Sequence, residues 1–200
     1  MKALVFVDVT DPWSYIGATR FERAAATFTI VTGEPVDVSF RAMLTEADPL
    51  TMGEQDLASA AAKITGIDLN FDEVVPADPL DAWRVVTWAD EAGPGVQRDL
   101  IHQLWRAHFL EGADIADPFV LSSRAALAGL DLETTEALLA SGEYADEVLR
   151  QDETARQLGI TQLPNVVVET TWTLAGVHSQ NDYVEALRQI HREWSEGEQR

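Results

Sequence analysis

The feature that most constrains the fold is a five-residue apolar run at positions 3–7, Ala-Leu-Val-Phe-Val, which leads directly into a helix-start signal. The run shows no alternation of polar and apolar residues, which is typical of a strand buried on both faces of a sheet. Asp11 then offers a side-chain oxygen to free backbone N–H groups, and Pro12 suits the first helical position because it has no N–H to satisfy. We therefore predict a central strand followed at once by a helix.

The residues after Pro12 carry apolar side chains at helical spacing as far as Phe28, and Gly33-Glu34-Pro35 then interrupts the pattern. Residues 36–40 indicate a second strand. Because a strand, a helix and a second strand of one sheet form a right-handed crossover, the two strands are expected to be parallel. The chain therefore opens with a β-α-β unit.

The middle of the chain is predicted to be helical, and strand signals return near its end. Apolar spacing and cap residues predict helices at residues 53–64, 79–92, 96–110, 118–127, 132–139 and 144–158. Residues 165–168 and 172–175 indicate a β-hairpin, and residues 181–194 a last helix. We predict an α/β protein in which residues 1–50 and 145–200 form the sheet domain and residues 51–144 form a large all-helical insertion.

Charge and composition exclude several classes of function. The formal net charge is −20, from 34 acidic and 14 basic residues, and phosphate binding needs clustered Lys and Arg. We expect neither a nucleic-acid partner nor an anionic membrane surface. No apolar run approaches the roughly 18 residues of a membrane span, so a cytoplasmic location is expected. The absence of cysteine excludes disulfides, thiolate metal sites and cysteine nucleophiles. No metal or cofactor is predicted.

Four stretches together resemble the DsbA-like branch of the thioredoxin superfamily, and within it the FrnE-type proteins. The first is Asp-Pro-Trp-Ser-Tyr-Ile-Gly at residues 11–17, where family members carry C-P-W-C-Y-I-G. The others are Ala-His-Phe-Leu-Glu-Gly-Ala-Asp-Ile at 107–115, the segments 144–148 and 155–160, and the proline at position 164. The resemblance implies a thioredoxin-like fold, β-α-β and then β-β-α, with a cis peptide bond before Pro164.

The departures from the family pattern bear on chemistry. Asp11 and Ser14 stand at the two cysteine positions, so dithiol-disulfide exchange is unavailable. The related glutathione transferases of the kappa class and hydroxychromene carboxylate isomerases carry S-P-Y-S at this place, and Asp11 is not that first serine. Tyr183 follows Asp182 where that branch has an arginine that contacts glutathione. The resemblance therefore gives no support for glutathione binding.

Asp11 and Ser14 nevertheless remain the candidate catalytic residues, each with a structural alternative. The free N–H groups of a helix start stabilise a carboxylate, so we expect the pKa of Asp11 to fall, and an ordinary cap is the alternative role. Ser14 would need a base within reach to act as a nucleophile. The predicted hairpin brings His178 towards Pro164, which makes it the candidate base, with a solvated loop histidine as the alternative.

The candidate binding residues follow from the resemblance. Leu163 and Pro164 would keep the backbone edge with which the superfamily pairs a peptide or thiol compound. Pro12 and Trp13 lie at the helix start, and Trp83 and Arg84 occupy the place of a family A-H-R segment, where Arg84 would contact an anion. Core packing for Trp83 and a surface salt bridge for Arg84 are the alternatives.

Three functional hypotheses follow. The first is a DsbA-like protein without redox activity that retains a cleft for a peptide or small molecule. The second is a cysteine-independent isomerase or transferase for a small aromatic or thiol-containing substrate, with Asp11, Ser14 and His178 in polar roles. The third is an assembly module whose helical insertion forms a homodimer face.

Overall fold

The computed structural model of the chain describes residues 1–45 and 49–198. In chain order the elements are β1 (Lys2–Val7), α1 (Pro12–Thr32), β2 (Asp37–Ala42), α2 (Met52–Thr65), a short 3₁₀ helix (Phe71–Glu73), α3 (Leu80–Ala89), α4 (Val96–Phe109), α5 (Pro118–Leu127), α6 (Leu132–Ala140), α7 (Ala145–Gln157), β3 (Asn165–Val168), β4 (Trp172–Ala175) and α8 (Gln180–Glu198). The predicted α/β fold with a helical insertion is confirmed. None of the described helices is long and apolar enough to cross a membrane.

The sheet has the strand order β2-β1-β3-β4. β1 pairs with β2 in parallel, and β1 with β3 and β3 with β4 pair antiparallel. The β-α-β unit and the hairpin therefore share one sheet, as predicted. The boundaries of a separate helical domain at residues 51 and 144 stay a prediction.

The central strand β1 is covered on both faces. Val5 and Val7 belong to the main core, which includes α1 and α8. Phe6 points to the opposite face, where a small cluster joins it to Val167 of β3 and Ala155 of α7. An apolar run without alternation is what two covered faces require.

Most helices start where the cap residues predicted. Asp11 and Asp117 accept hydrogen bonds from the first backbone N–H groups of α1 and α5, and Thr51 forms a capping box with Glu54 at α2. At Asp78 the prediction is corrected by one residue, because its carboxylate accepts from Leu80 N and α3 begins at Leu80. The sequence has one more Asp-Pro pair, at residues 48–49, of which residue 48 lies outside the described residues.

The outer edge of β2 is occupied by two side-chain amides. Gln97 of α4 accepts from Phe40 N (2.8 Å) and donates to Phe40 O (3.2 Å), as a neighbouring strand would. Gln151 of α7 accepts from Ala42 N at 2.9 Å. Both glutamines are buried, so their amides satisfy backbone groups that would otherwise lack partners.

Candidate functional site

The start of α1 is closed by a hydrogen-bond network around Asp11. Its Oδ1 accepts from Trp13 N at 3.2 Å, and its Oδ2 accepts from Ser14 N at 2.8 Å. Ser14 Oγ donates to the same Oδ2 at 2.7 Å. The side chains at the two positions of the family's cysteines are thus bonded to each other.

Ser14 is fully buried, and its hydroxyl has a second partner. While Oγ donates to Asp11, it accepts from Asp8 N at 3.1 Å. His178 does not approach it, because His178 Nε2 lies 3.0 Å from Ala175 O and the ring packs edge-on against Tyr183. The structure therefore does not form the predicted Ser14–His178 pair.

Burial raises the pKa of Asp11 to about 6, although we expected it to fall. Part of the residue remains exposed at the surface, but its carboxyl group is enclosed by protein. The hydrogen bonds from Ser14 and Trp13 lower the pKa, and the nearby Asp8 raises it further. The cost of burying a charge therefore outweighs the favourable helix start.

Asp8 is a site residue that the sequence analysis missed. It is fully buried at the end of β1, where its Oδ1 accepts from Thr10 N and Thr10 Oγ1 and its Oδ2 accepts from Thr45 N and Thr45 Oγ1. These bonds tie the β1–α1 loop to the segment after β2. A carboxylate directly after a buried strand was the signal that could have indicated it.

The proline opposite α1 packs directly on the helix. The Leu163–Pro164 peptide bond is cis, and Pro164 is buried. A Cβ atom on Gly17 would lie only 2.3 Å from Pro164 Cγ, so glycine is what allows this close approach. Leu163 remains half-buried beside it, and Trp13 packs on the rim of the core.

Trp83 and Arg84 lie in the interior. Trp83 is fully buried. Arg84 donates to the carbonyl oxygens of Leu138, Ser141 and Glu143 and to Asp81, which ties α3 to the end of α6 and the loop after it. Its guanidinium is therefore a structural anchor rather than the anion contact we predicted.

A cavity of about 320 Å³ opens beside the start of α1. On one side it is lined by the segments that follow β1 and β2. On the other side it is lined by the 3₁₀ helix, the segment that follows this helix and the end of α4. Pro12 is the only one of the seven predicted binding residues among the lining residues of this cavity; the others are Trp13, Trp83, Arg84, Leu163, Pro164 and His178. The lining residues are Thr10, Pro12, Thr45, Pro49, Leu50, Gln55, Phe71, Val74, Pro76, Ala77, Pro79, His108 and Phe109.

Among the described residues that line this cavity, His108 is the one with a titratable side chain. It is 2% exposed, and its Nδ1 has no hydrogen-bond partner among the described residues. Burial lowers its pKa to about 4, against a smaller opposing effect of Asp114. At neutral pH the imidazole is therefore uncharged. The described residues contain no cluster of His, Asp and Glu that could hold a metal ion.

The comparisons with known proteins agree with this architecture. The sequence matches the profile of the family described as the DSBA-like thioredoxin domain over residues 4–188. A probable DsbA oxidoreductase from Streptomyces coelicolor is similar in structure, with 26% identity, a TM-score of 0.84 and coverage of 96% of this chain and 91% of that chain.

Two further structures share the fold at lower identity. The cytosolic disulfide reductase DsbM from Pseudomonas aeruginosa, solved with GSH, is 22% identical with a TM-score of 0.70, covering 96% of this chain and 100% of that one. A 2-hydroxychromene-2-carboxylate isomerase is 16% identical with a TM-score of 0.66, covering 99% and 98%. No curated protein sequence matches the chain.

Proposed function

This chain belongs to the DSBA-like thioredoxin domain family, and we propose that it is a member without redox activity that binds a small, uncharged, largely apolar molecule beside the start of α1. Thiol-disulfide exchange requires a thiolate, and the chain has no cysteine. Its narrower assignment to the FrnE-type proteins stays a prediction.

The observation that carries the proposal is that His108 lines the cavity while its buried Nδ1 has no hydrogen-bond partner among the described residues. A buried polar atom without a partner costs roughly 1–3 kcal/mol, and a ligand that hydrogen-bonds to it recovers that free energy. The surrounding wall, which includes Phe71, Val74 and Phe109, is largely apolar. This combination favours an aromatic or alicyclic ligand with one hydroxyl or carbonyl group.

The charge of the site favours a neutral ligand. His108 is uncharged at neutral pH, because burial lowers its pKa to about 4. The chain as a whole carries a formal charge of −20. An anionic ligand would therefore be repelled, and no cationic side chain among the described lining residues offsets this repulsion.

The proposal is tested with 1-naphthol and naphthalene as a matched pair of probes. We expect 1-naphthol to shift the amide NMR signals of Thr45, His108 and Phe109. In His108→Leu its affinity should fall about tenfold, the value of one hydrogen bond, while the affinity for naphthalene should hardly change. His191→Leu is the control, because His191 Nδ1 is also buried without a partner but does not line the cavity.

Two outcomes would contradict this assignment. Equal 1-naphthol affinity in the wild type and in His108→Leu would remove the role of His108. Amide signal shifts confined to Leu163 and Asn165, which flank Pro164, would instead favour a retained peptide-recognition edge at the proline, which was our prediction from the sequence.

A cysteine-independent isomerase is the second candidate, and the carboxyl group of Asp11 favours it. With a pKa of about 6, this group can both release and accept a proton near neutral pH. The fold neighbour that acts as 2-hydroxychromene-2-carboxylate isomerase supplies the compound to test. We expect its conversion, followed by absorbance, to stop in Asp11→Asn; turnover that survives this change would refute the role of Asp11.

We further propose a cytoplasmic location, as the sequence predicts. The fold neighbour DsbM is described as a cytosolic protein, and a chain without cysteine needs no oxidising compartment for its folding. Fractionation of the native host with an antibody to this chain tests the location, and recovery outside the cytoplasmic fraction would refute it.

A further inference from the structure

A second and larger cavity lies at the β2 side of the molecule, away from the start of α1. It has a volume of about 610 Å³ and is open on one side. The residues that line it come from β2, from the end of α3 and from the start of α7, and they are Arg41, Thr87, Asp90, Glu91, Glu143, Tyr144, Asp146, Glu147, Arg150 and Gln151.

The charged groups of this wall leave an excess of carboxylates. Five acids face two arginines, and both arginines are already in ion pairs, Arg41 with Asp90 at 3.1 Å and Arg150 with Glu147. The remaining acids, Glu91, Glu143 and Asp146, have no cationic partner in the described part of the chain. The cavity therefore carries three uncompensated negative charges.

An independent observation comes from Thr87 in the same wall. The residue is 7% exposed, and its hydroxyl oxygen is buried without a hydrogen-bond partner among the described residues. In a helix interior a threonine hydroxyl ordinarily bonds to the carbonyl one turn before it. Because Thr87 lines the cavity and its hydroxyl lacks this partner, the hydroxyl is a candidate acceptor for an ammonium group bound there.

Tyr144 supplies an aromatic wall next to the carboxylates that have no cationic partner among the described residues. Its hydroxyl donates to Glu91 Oε2 at 2.9 Å, which fixes the ring. Burial raises the pKa of Tyr144, and Glu91 and Glu143 raise it further, as expected in a negative field. A ring beside carboxylates is a suitable surface for an organic ammonium group.

The spacing of the acids favours an organic cation over a metal ion as the ligand of this cavity. No three of the described His, Asp and Glu side chains lie close enough to hold one metal ion. Carboxylates spread around a space of about 610 Å³ instead match several positive charges on one extended molecule. We propose that this cavity binds an elongated organic cation with two or more ammonium groups, of the polyamine class.

Spermidine is the probe, titrated by calorimetry into the full chain in about 150 mM KCl, where the Debye length is about 8 Å and diffuse attraction is screened. We expect one bound spermidine per chain. The double variant Glu91→Gln/Glu143→Gln should weaken binding at least about tenfold. Thr87→Val, which removes only the hydroxyl, should weaken it about threefold or more.

A charge-matched control separates this site from the general acidity of the protein. Asp56→Asn/Glu136→Gln removes the same two charges from exposed residues that do not line the cavity, and its affinity should stay within about twofold of the wild type. Equal losses in the two double variants, or no saturable binding at this salt concentration, would overturn the proposal. Circular dichroism of each variant verifies that it is folded.

Discussion

The wild type is expected to become less stable as the pH rises towards neutrality, because Asp11 ionises. Replacing Asp11 by asparagine should abolish this part of the pH dependence. Burial raises the pKa of this carboxyl group from 3.8 to about 6. The folded state therefore holds the proton more tightly than the unfolded state does. The contribution of Asp11 to stability is fully present below pH 3.8 and is lost as the pH rises through about 6.

The magnitude follows from the difference between the two pKa values. At about 1.4 kcal/mol for each pKa unit, full ionisation of Asp11 lowers the free energy of unfolding by about 3 kcal/mol. About 2 kcal/mol of this loss falls between pH 4.5 and pH 8, a range that lies above the isoelectric point of about 4.3. Asparagine remains a good cap for α1 but cannot ionise.

The assay is urea unfolding followed by tryptophan fluorescence, repeated across this pH range. The free energy of unfolding of Asp11→Asn minus that of the wild type should rise by about 2 kcal/mol from pH 4.5 to pH 8. The difference reports Asp11 alone, because the titration of all other groups cancels in it. Asp117→Asn is the control, since it changes an Asp-Pro helix start of the same kind at an exposed position.

Two results would refute the reasoning. If the profile of Asp11→Asn runs parallel to that of the wild type, burial does not dominate the carboxyl group. If Asp117→Asn shows the same pH-dependent gain, the effect comes from lowering the net charge and not from the environment of Asp11.

Three further predictions concern stability. Gly17→Ala should lower the free energy of unfolding by about 1–3 kcal/mol in urea, because the new methyl group would overlap Pro164; an unchanged value would show that the proline can move. Arg84→Met should cost on the order of 3 kcal/mol by the same measurement, because it removes the hydrogen bonds that Arg84 donates to three carbonyl oxygens and to Asp81. The melting temperature should climb between low and molar KCl, by about 2–4 °C for each kcal/mol of screened repulsion, and a flat response would show that the charge of −20 does not limit stability.

The positions of the helices and strands could largely be predicted because the chain marks them locally. β3, β4 and α5 have the predicted bounds, and α1 begins at the proline behind its cap. Cap residues, apolar spacing and turn residues act over a few positions, so they are legible in one sequence.

The properties of the site depended instead on distant parts of the chain. The helix start at Asp11 was visible, but the enclosure of its carboxyl group, which decides the direction of the pKa change, was not. Arg84 appeared as a charged residue, yet the end of α6, more than fifty positions later, takes up its hydrogen bonds. His108 became notable only when the fold placed it beside a cavity and left its buried Nδ1 without a partner among the described residues.

The glutamine amides along β2 determine at which edge a second polypeptide can add a strand to this sheet. An open strand edge is a template on which a second polypeptide can extend a sheet, and this is a common route to aggregation. Gln97 and Gln151 already form hydrogen bonds with the backbone groups of Phe40 and Ala42 to which an added strand would have to bind. Growth of the sheet is thereby directed to β4, a strand of only four residues, which gives a short and weak template.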